Sequence, residues 1–206
     1  MNSLNIKKLT LGSMGANCYI IENGDHSIIV DPGANGGYLI EYAHRLKIMF
    51  KYILITHAHF DHIGAVDMLV NEFESEVYLH ENDFDVFYDD TLNLSSYYTP
   101  LKLKSQIIKV KDKIQIDGFS ITFKNLPGHT HGSCFIIFDD YNIVFTGDIL
   151  FKGSIGRYDF PTSSINEMKE SIRQMYCIDT NYMIYPGHGD NTTMFEEKQN
   201  NPFFKA

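Results

Sequence analysis

The sequence has few of the features that mark a disulfide-bonded, exported or membrane-spanning protein. Its three cysteines, Cys18, Cys134 and Cys177, lie far apart, and their odd number favours reduced thiols over a disulfide framework. The longest apolar runs, such as residues 134–138, are far shorter than the ~18 residues that a bilayer-spanning helix needs. The two lysines near the N-terminus precede no apolar segment of the kind that an export signal requires. We therefore expect a cytoplasmic protein with no membrane partner.

Basic residues are also scarce. Seventeen lysines and arginines against 26 acidic residues give a net charge of −9, so the surface as a whole repels phosphate backbones and anionic lipid headgroups. This balance argues against nucleic acid as a partner. The 206 residues are 44% hydrophobic and 21% charged, which is typical of a globular chain with one ample core. We predict a single domain over residues 1–206.

The hydrophobic pattern predicts an α/β protein with two blocks of strands. Short strands at 4–11, 18–22 and 27–31, separated by glycine-containing turn signals, predict an antiparallel meander. The apolar spacing after them predicts helices at 38–47 and 63–73 on either side of a buried strand. The remaining predicted elements are strands at 52–56, 77–80, 107–110, 114–123, 134–138, 143–146 and 182–185, an irregular or helical tract at 82–98, and two helices capped by Ser164 with Glu167 and by Thr193 with Glu196.

The strongest functional signal is a cluster of three imidazoles and one carboxylate within six positions, His57-Ala58-His59-Phe60-Asp61-His62. In the extended chain that follows a strand, the side chains of residues i and i+2 point to the same side, so His57 and His59 can bind one ion. The chain then turns into the predicted helix, which aims Asp61 and His62 at a neighbouring position. Neutral imidazole and carboxylate suit Zn(II), with iron or manganese as alternatives, and the lack of nearby cysteine argues against a closed structural zinc site.

Three further candidate ligands share one local pattern, in which glycine stands directly before the ligand and an apolar strand precedes both. They are His129 in PGH, Asp148 in TGD and His188 in PGH. Glycine allows the close backbone approach that a crowded site at strand ends requires. A single histidine after such a turn more commonly caps the turn than binds a metal. Together with the first cluster, however, the pattern favours a metal site.

In this order, the motifs resemble those of the metallo-β-lactamase fold superfamily, and within it the short glyoxalase II-like hydrolases. The matching segments are Asp31 in IIVDPGA, the cluster at 57–62, His129 in PGHTHGS, Asp148 in FTGDILF and His188 in PGHG, and they extend over nearly the whole chain. The segment KGSIGRYDFP at 152–161 and the ending GHGDNTTMFEEKQNNPFF resemble the short branch more narrowly. The resemblance implies an α/β (α+β) fold, a four-layer αββα sandwich of the metallo-β-lactamase type, with its site at one edge.

The resemblance also implies how a pair of cations, two Zn(II), would be held. It places the first cation on His57, His59 and His129, the second on Asp61, His62 and His188, and Asp148 between them, with Asp31 orienting the cluster. Paired metals lower the pKa of bound water from 15.7 to roughly 7. The implied activity is that of a dinuclear thioester hydrolase of glyoxalase II type, in which a bridging hydroxide attacks the carbonyl of a small-molecule thioester and a thiolate leaves.

Asp61 and Arg157 are the residues that we expect to be catalytic, although Asp61, as a ligand, is not a free base. The planar guanidinium of Arg157 could bind a substrate carboxylate through two parallel hydrogen bonds. It could equally form a structural salt bridge with Asp159. Full-length glyoxalase II patterns add a C-terminal helical region that grips glutathione, and this chain stops at Ala206, so we leave open whether glutathione is the thiol.

Two aromatic segments lie outside these motifs. The tract at 84–98 is predicted either to cover the site or merely to pack, and Phe203 and Phe204 are expected to dock on the body of the protein. Either segment offers a surface for a homodimer.

Three other functions fit parts of the same pattern. A persulfide dioxygenase would hold one Fe(II) on His57, His129 and Asp148. The GHG segment with His188 favours the hydrolase, because those oxygenases tend to lack it. A lactonase or esterase, and a catalytically idle metal-binding module, are the remaining alternatives.

Overall fold

The computed structural model describes residues 4–23 and 26–205, whose strands form two six-stranded sheets. The first sheet contains, in spatial order, β1 (Asn5–Leu11), β2 (Ala16–Asn23), β3 (His26–Val30), β4 (Met49–Ile55), β5 (Glu76–His80) and β6 (Ile107–Val110). The second contains β7 (Lys113–Ile116), β8 (Phe119–Asn125), β9 (Cys134–Phe138), β10 (Ile143–Gly147), β13 (Met183–Pro186) and β14 (Thr192–Thr193), the last two beyond β10. Strands β11 (Leu150–Phe151) and β12 (Ser154–Ile155) form a small separate hairpin.

Six α-helices accompany the sheets in the described ranges: α1 (Gly36–Leu46), α2 (Phe60–Ile63), α3 (Val66–Phe73), α4 (Phe84–Tyr88), α5 (Ile165–Tyr176) and α6 (Met194–Asn200). Ser164 caps the N-terminus of α5, where its hydroxyl accepts a hydrogen bond from the Glu167 amide. Thr193 caps α6 in the same way, with the Glu196 amide as donor. Both predicted caps are therefore present. No helix in the described part of the chain is long and apolar enough to cross a membrane.

Three apolar clusters define four layers. In β2, Ile20 faces a cluster shared with Leu39 of α1 and Leu69 of α3, whereas the adjacent Ile21 faces the opposite cluster. That opposite cluster fills the space between the sheets, where Ile21 belongs to the same buried core as Phe138 of β9. A third cluster joins the far side of the second sheet to α5 and α6. The alternation of inward and outward side chains thus produces the predicted αββα sandwich, which is confirmed.

Strand direction brings several chain segments to one edge of the sandwich. Strands β1, β2 and β3 pair antiparallel, as the meander predicted, while β3, β4, β5 and β6 run parallel. In the second sheet β10 runs parallel to β13, and β8 runs the same way because both β8 and β10 pair antiparallel with β9. Loops after the carboxyl ends of these strands are where a site can assemble from distant parts of the chain.

Two elements that were predicted as single are each divided into two in the structure. The single helix predicted at 63–73 is two helices, α2 and α3, which are separated where Gly64 and Ala65 pass the loop before α1. A Cβ at Gly64 would lie 2.3 Å from the carbonyl oxygen of Gly33, and the Ala65 amide donates to Pro32. The single strand predicted at 114–123 is the hairpin β7–β8, whose turn at Asp117 and Gly118 has positive φ at both positions.

Candidate metal centre

The candidate ligands follow the carboxyl ends of four strands. His57, His59, Asp61 and His62 lie after β4 and in α2; His129 follows β8, Asp148 directly follows β10, and His188 follows β13. Asp31 follows β3 with a φ of 51°, a left-handed conformation that turns its carboxylate back toward the first cluster. The structure brings all seven candidate ligands and Asp31 together at one edge of the sandwich.

The candidate ligands form three groups whose ligand atoms lie within 4.8 Å of one another. The groups are His57 with His59 and His129, His57 with His62 and Asp148, and Asp61 with His62 and His188. Asp148 lies between the outer groups, because its Oδ1 is 3.4 Å from His62 Nε2 while its Oδ2 is 3.7 Å from His129 Nε2 and 3.5 Å from His188 Nε2. Two adjacent positions for a cation share this carboxylate.

Several buried atoms of the cluster have no hydrogen-bond partner among the described residues. They are the Nε2 atoms of His57, His59 and His62 and the Oδ1 atom of Asp148. An unpaired buried polar atom costs about 1–3 kcal/mol, so four of them in one cluster need an explanation. In addition, His59 Nδ1 and His129 Nε2 lie 2.9 Å apart, which turns two imidazole nitrogens toward each other. Divalent cations satisfy such lone pairs, so these residues fit a metal centre.

Hydrogen bonds on the outer side of the rings fix which nitrogen faces inward. His62 Nδ1 is 3.0 Å from Asp31 Oδ2, and His129 Nδ1 donates to the carbonyl oxygen of Arg157 at 2.8 Å. Asp31 is held in turn by the amide and the hydroxyl of Thr56, at 2.8 and 2.6 Å. These hydrogen bonds at Nδ1 turn the Nε2 atom of each ring toward the centre, the orientation that metal-binding histidines generally have.

The electrostatics differ between the two sides of the cluster. Burial, reinforced by the neighbouring imidazoles, lowers the pKa of His57 and of His59 well below the usual value, so both rings are neutral. Burial acts in the same direction on His62, but the carboxylates of Asp61, Asp148 and Asp31 outweigh it and raise the pKa of His62 to about 10. The side that contains the carboxylates therefore favours a positive charge.

Gly187 leaves the space that the second group needs. A Cβ at this position would lie 2.1 Å from Asp148 Oδ1, 2.8 Å from the Cε1 atom of His62 and 3.0 Å from the backbone carbon of Gly147. The glycine in the PGH pattern thus permits the close approach of strand ends that the sequence indicated.

Gly187→Ala is expected to reduce the number of divalent cations that the purified protein retains, because its methyl group displaces the carboxylate of Asp148 from between the ligand groups. Elemental analysis after dialysis measures this. Gly37→Ala, at a helical position where a Cβ meets nothing within 4 Å, is the matched control. Two tightly held ions in Gly187→Ala would contradict this account.

Asp83 is a residue that the sequence analysis missed. Its carboxylate is buried and accepts hydrogen bonds from the Ala58 amide at 2.9 Å, the Gly132 amide at 2.7 Å and the Thr130 hydroxyl at 2.8 Å. It therefore ties the loop that carries His57 and His59 to the loop that carries His129. Burial raises the pKa of Asp83, although the three donors oppose that rise. A signal was present in the sequence, an aspartate just after the strand that ends in His80, but nothing local indicates its distant partners.

Asp83→Ala is expected to lower the free energy of unfolding by about 3 kcal/mol, because it leaves two buried amides without an acceptor. In a chain of this size that corresponds to roughly 6–12 °C in Tm. Asp85→Ala, an exposed aspartate in α4, is the control and is expected to stay within about 0.5 kcal/mol of the parent. Equal melting curves for the two variants would refute the structural role of Asp83.

A cleft of about 750 Å³ opens over the cluster. Its lining includes Leu94, Tyr97 and Tyr98, so the end of the 84–98 tract lies against the site. Arg157 also lines the cleft, but its Nε and Nη2 atoms donate to the two carboxylate oxygens of Asp159, both at 2.9 Å. Of the two roles considered for Arg157, the structure shows the salt bridge.

Other histidines lie outside the cluster. His131 pairs with Glu167 at 3.0 Å, and His44 pairs with Glu72 at 2.8 Å on the surface. Buried His80 accepts a hydrogen bond from the Asn82 amide. None of the three belongs to the ligand groups found among the described residues.

Comparison with known proteins agrees with this geometry. The sequence profile of the metallo-beta-lactamase superfamily matches residues 11–188, a span that contains every candidate ligand. The chain belongs to the metallo-β-lactamase superfamily. The family assignment made from the motifs is thereby confirmed, and with it a fold that binds divalent metals.

Three relatives in the metallo-β-lactamase superfamily are similar along their whole length. The chain is 31% identical to the hydroxyacylglutathione hydrolase of Haemophilus influenzae, over 98% of this chain and 99% of that protein. It superposes on the BLEG-1 B3 metallo-β-lactamase with a TM-score of 0.91 and 32% identity, covering 98% of this chain and 100% of that one. It superposes on TTHA1623, crystallised in a di-iron-bound form, with a TM-score of 0.86 and 32% identity, covering 96% and 99%.

Proposed function

We propose that this protein is a dinuclear, zinc-dependent thioester hydrolase of glyoxalase II type. The observation that carries the proposal is a pair of adjacent ligand groups with unpaired buried nitrogens, between which the Asp148 carboxylate lies within 3.7 Å of His62, His129 and His188. The similarity to a hydroxyacylglutathione hydrolase over nearly the full length of both chains supports the choice of a thioester among the substrates of hydrolases.

In this proposal His57, His59 and His129 hold the first cation, Asp61, His62 and His188 hold the second, and Asp148 contacts both. Bound there, two divalent cations would supply Lewis acidity that lowers the pKa of water to about 7 and stabilises negative charge on a carbonyl oxygen. In the net reaction, the oxygen of water bonds to the thioester carbonyl carbon, the carbon–sulfur bond breaks, and a carboxylate, a thiol and one proton are released. A thiolate leaves without needing a strong acid.

The chain's own residues orient and shield this chemistry. Asp31, Thr56 and the Arg157 carbonyl fix the imidazole rings of His62 and His129 so that their Nε2 atoms face the centre. Phe160 packs against His59 and His129 with ring centroids 5.4 and 5.7 Å away, which keeps water from the outer faces of those rings. Asp61, 3.4 Å from His188 Nε2, serves as a ligand and not as a free base.

The third ligand group bears on the rival activity. A persulfide dioxygenase with one Fe(II) needs only His57, His129 and Asp148 as ligands. Asp61, His62 and His188 would then bind no metal. Here these three residues have ligand atoms within 4.8 Å of one another, which favours two ions. Zinc is proposed as the native metal on the donor set, with iron as the alternative that the di-iron form of TTHA1623 raises.

The test is elemental analysis of the purified protein together with a substrate panel. Zinc-loaded protein is assayed on S-lactoylglutathione, a neutral thioester, a lactone, an ester and a β-lactam, and iron-loaded protein on glutathione persulfide with an oxygen electrode. We expect about two metal ions per chain and thioester hydrolysis as the fastest reaction. Protein with two zinc ions that hydrolyses no thioester, or protein with a single iron that consumes oxygen on the persulfide, would refute the proposal.

A further inference from the structure

One side of the cleft is an aromatic wall made of Phe60, Tyr97 and Tyr98. The rings of Phe60 and Tyr98 lie 4.8 Å apart and are inclined by only 31°, so they present a continuous apolar face. Tyr97 and Tyr98 are 71% and 61% exposed although both line the cleft. Aromatic side chains bury about 150–250 Å² each when covered, so a ligand that covered this wall would gain substantial apolar contact.

The charges beside this wall are already paired. Beyond the candidate ligands, the charged side chains in the described lining of the cleft are Arg157 and Asp159. They bond to each other through two hydrogen bonds of 2.9 Å, and the guanidinium also lies 4.3 Å from the centroid of the Phe160 ring. This pair is neutral as a unit, with its cation engaged on two sides. Glutathione carries two carboxylates and would compete with Asp159 for that cation.

The size of the cleft suits a compact apolar group. Its volume of about 750 Å³ falls within the range of about 300–1,000 Å³ typical of small-molecule sites, and its lining also includes Met14, Phe151, Ile155 and Pro161. The apolar residues of this lining favour contact with a hydrocarbon group over contact with the charged ends of a peptide.

We propose that the preferred substrate is an uncharged thioester with an aryl or arylalkyl acyl group that stacks on the aromatic wall of Phe60, Tyr97 and Tyr98, and not a glutathione thioester. This inference rests on the proposed thioester hydrolysis and specifies its substrate class. Tyr98 acts in it as a specificity-determining residue, because its ring continues the face of Phe60 into the open part of the cleft.

The first experiment compares four thioesters on zinc-loaded protein, phenylacetyl and acetyl groups each carried on N-acetylcysteamine and on glutathione. With N-acetylcysteamine, we expect phenylacetyl to exceed acetyl in kcat/KM by at least about 10-fold, mainly through KM, since partial burial of a phenyl ring is worth more than 1.4 kcal/mol. For the phenylacetyl group, we expect the neutral thiol to exceed glutathione by about 5-fold. A preference for either glutathione thioester over its neutral counterpart would overturn the proposal.

The second experiment changes the wall and the ion pair. Tyr98→Ala is expected to reduce the phenylacetyl-to-acetyl ratio by about 10-fold, whereas Tyr176→Ala, an exposed tyrosine at the end of α5, leaves the ratio unchanged. Asp159→Asn releases Arg157 and is expected to raise the ratio of glutathione to N-acetylcysteamine thioester by about 5-fold. An unaltered acyl ratio in Tyr98→Ala would refute the role of the wall.

A binding measurement separates this inference from the proposed activity. Saturation-transfer NMR is expected to show contact between protein and the ring protons of phenylacetate, and to lose most of that signal in Tyr98→Ala but not in Tyr176→Ala. If none of the four thioesters is hydrolysed, the proposed function fails, and the NMR result still decides whether the wall binds an aromatic group. Equal signals in Tyr98→Ala and the parent would overturn the inference even if thioesters are hydrolysed.

Discussion

Asp148→Ala is expected to lower kcat/KM for thioester hydrolysis by at least about 10³-fold, or roughly 4 kcal/mol of transition-state stabilisation. The reason is its position, since Oδ1 lies 3.4 Å from His62 Nε2 while Oδ2 lies 3.7 Å from His129 Nε2 and 3.5 Å from His188 Nε2, so this carboxylate stands between the ligand groups. Loss of one fixed donor to a developing oxyanion costs about 10²–10³-fold in other enzymes. If the proposed function is right, Asp148 would hold two cations, and its loss is expected to cost more.

Two measurements accompany the activity of Asp148→Ala. Its metal content is expected to fall below two ions per chain, and its circular dichroism is expected to match the parent, because Asp148 lies at a strand end and outside the apolar core. His44→Ala is the matched control, a surface histidine that pairs with Glu72 and belongs to none of the ligand groups found among the described residues. Parent-like activity in Asp148→Ala would exclude a shared carboxylate at this centre.

Removing metal is expected to lower Tm by about 8–16 °C. A ligand present at 1,000 times its Kd stabilises the folded state by about 4.1 kcal/mol, and each kcal/mol corresponds to about 2–4 °C in a chain of this length. Here the stabilisation has a specific origin, because three buried ring nitrogens and one buried carboxylate oxygen have no hydrogen-bond partner in the described part of the chain. Differential scanning fluorimetry of chelator-treated protein, with and without added zinc, measures the shift.

The melting experiment has an internal control in the cluster itself. In His57→Ala the zinc-dependent shift is expected to shrink to less than half, since His57 belongs to two of the three ligand groups, whereas His44→Ala keeps it in full. Curves that coincide within about 2 °C with and without zinc would mean that the cluster does not bind this metal with useful affinity.

The site could be located from sequence because its ligands come in local motifs. The cluster from His57 to His62 needs only the geometry of a strand followed by a helix, and each remaining ligand stands next to a glycine at a strand end. That these segments meet at one edge followed from the family resemblance, and the strand directions now give the physical reason: β4, β8, β10 and β13 all end there.

What the sequence did not indicate depends on contacts between distant segments. The break between α2 and α3 results from the close passage of Gly64 by Gly33, 31 positions earlier, and periodicity has no access to such a contact. The role of Asp83 depends on donors at Ala58, Thr130 and Gly132. Arg157 had two equally good interpretations until the positions of its two nitrogens relative to Asp159 were known.

The ligands are divided between the two halves of the sandwich. The residues from His57 to His62 follow the first sheet, and His129, Asp148 and His188 follow strands of the second. Each of the three ligand groups therefore contains residues from both halves. Ions can therefore be captured only after the halves have docked in register, and their capture then opposes separation of the halves. We therefore expect zinc binding during refolding to be slower than the formation of secondary structure. Its rate would then measure the docking of the two halves.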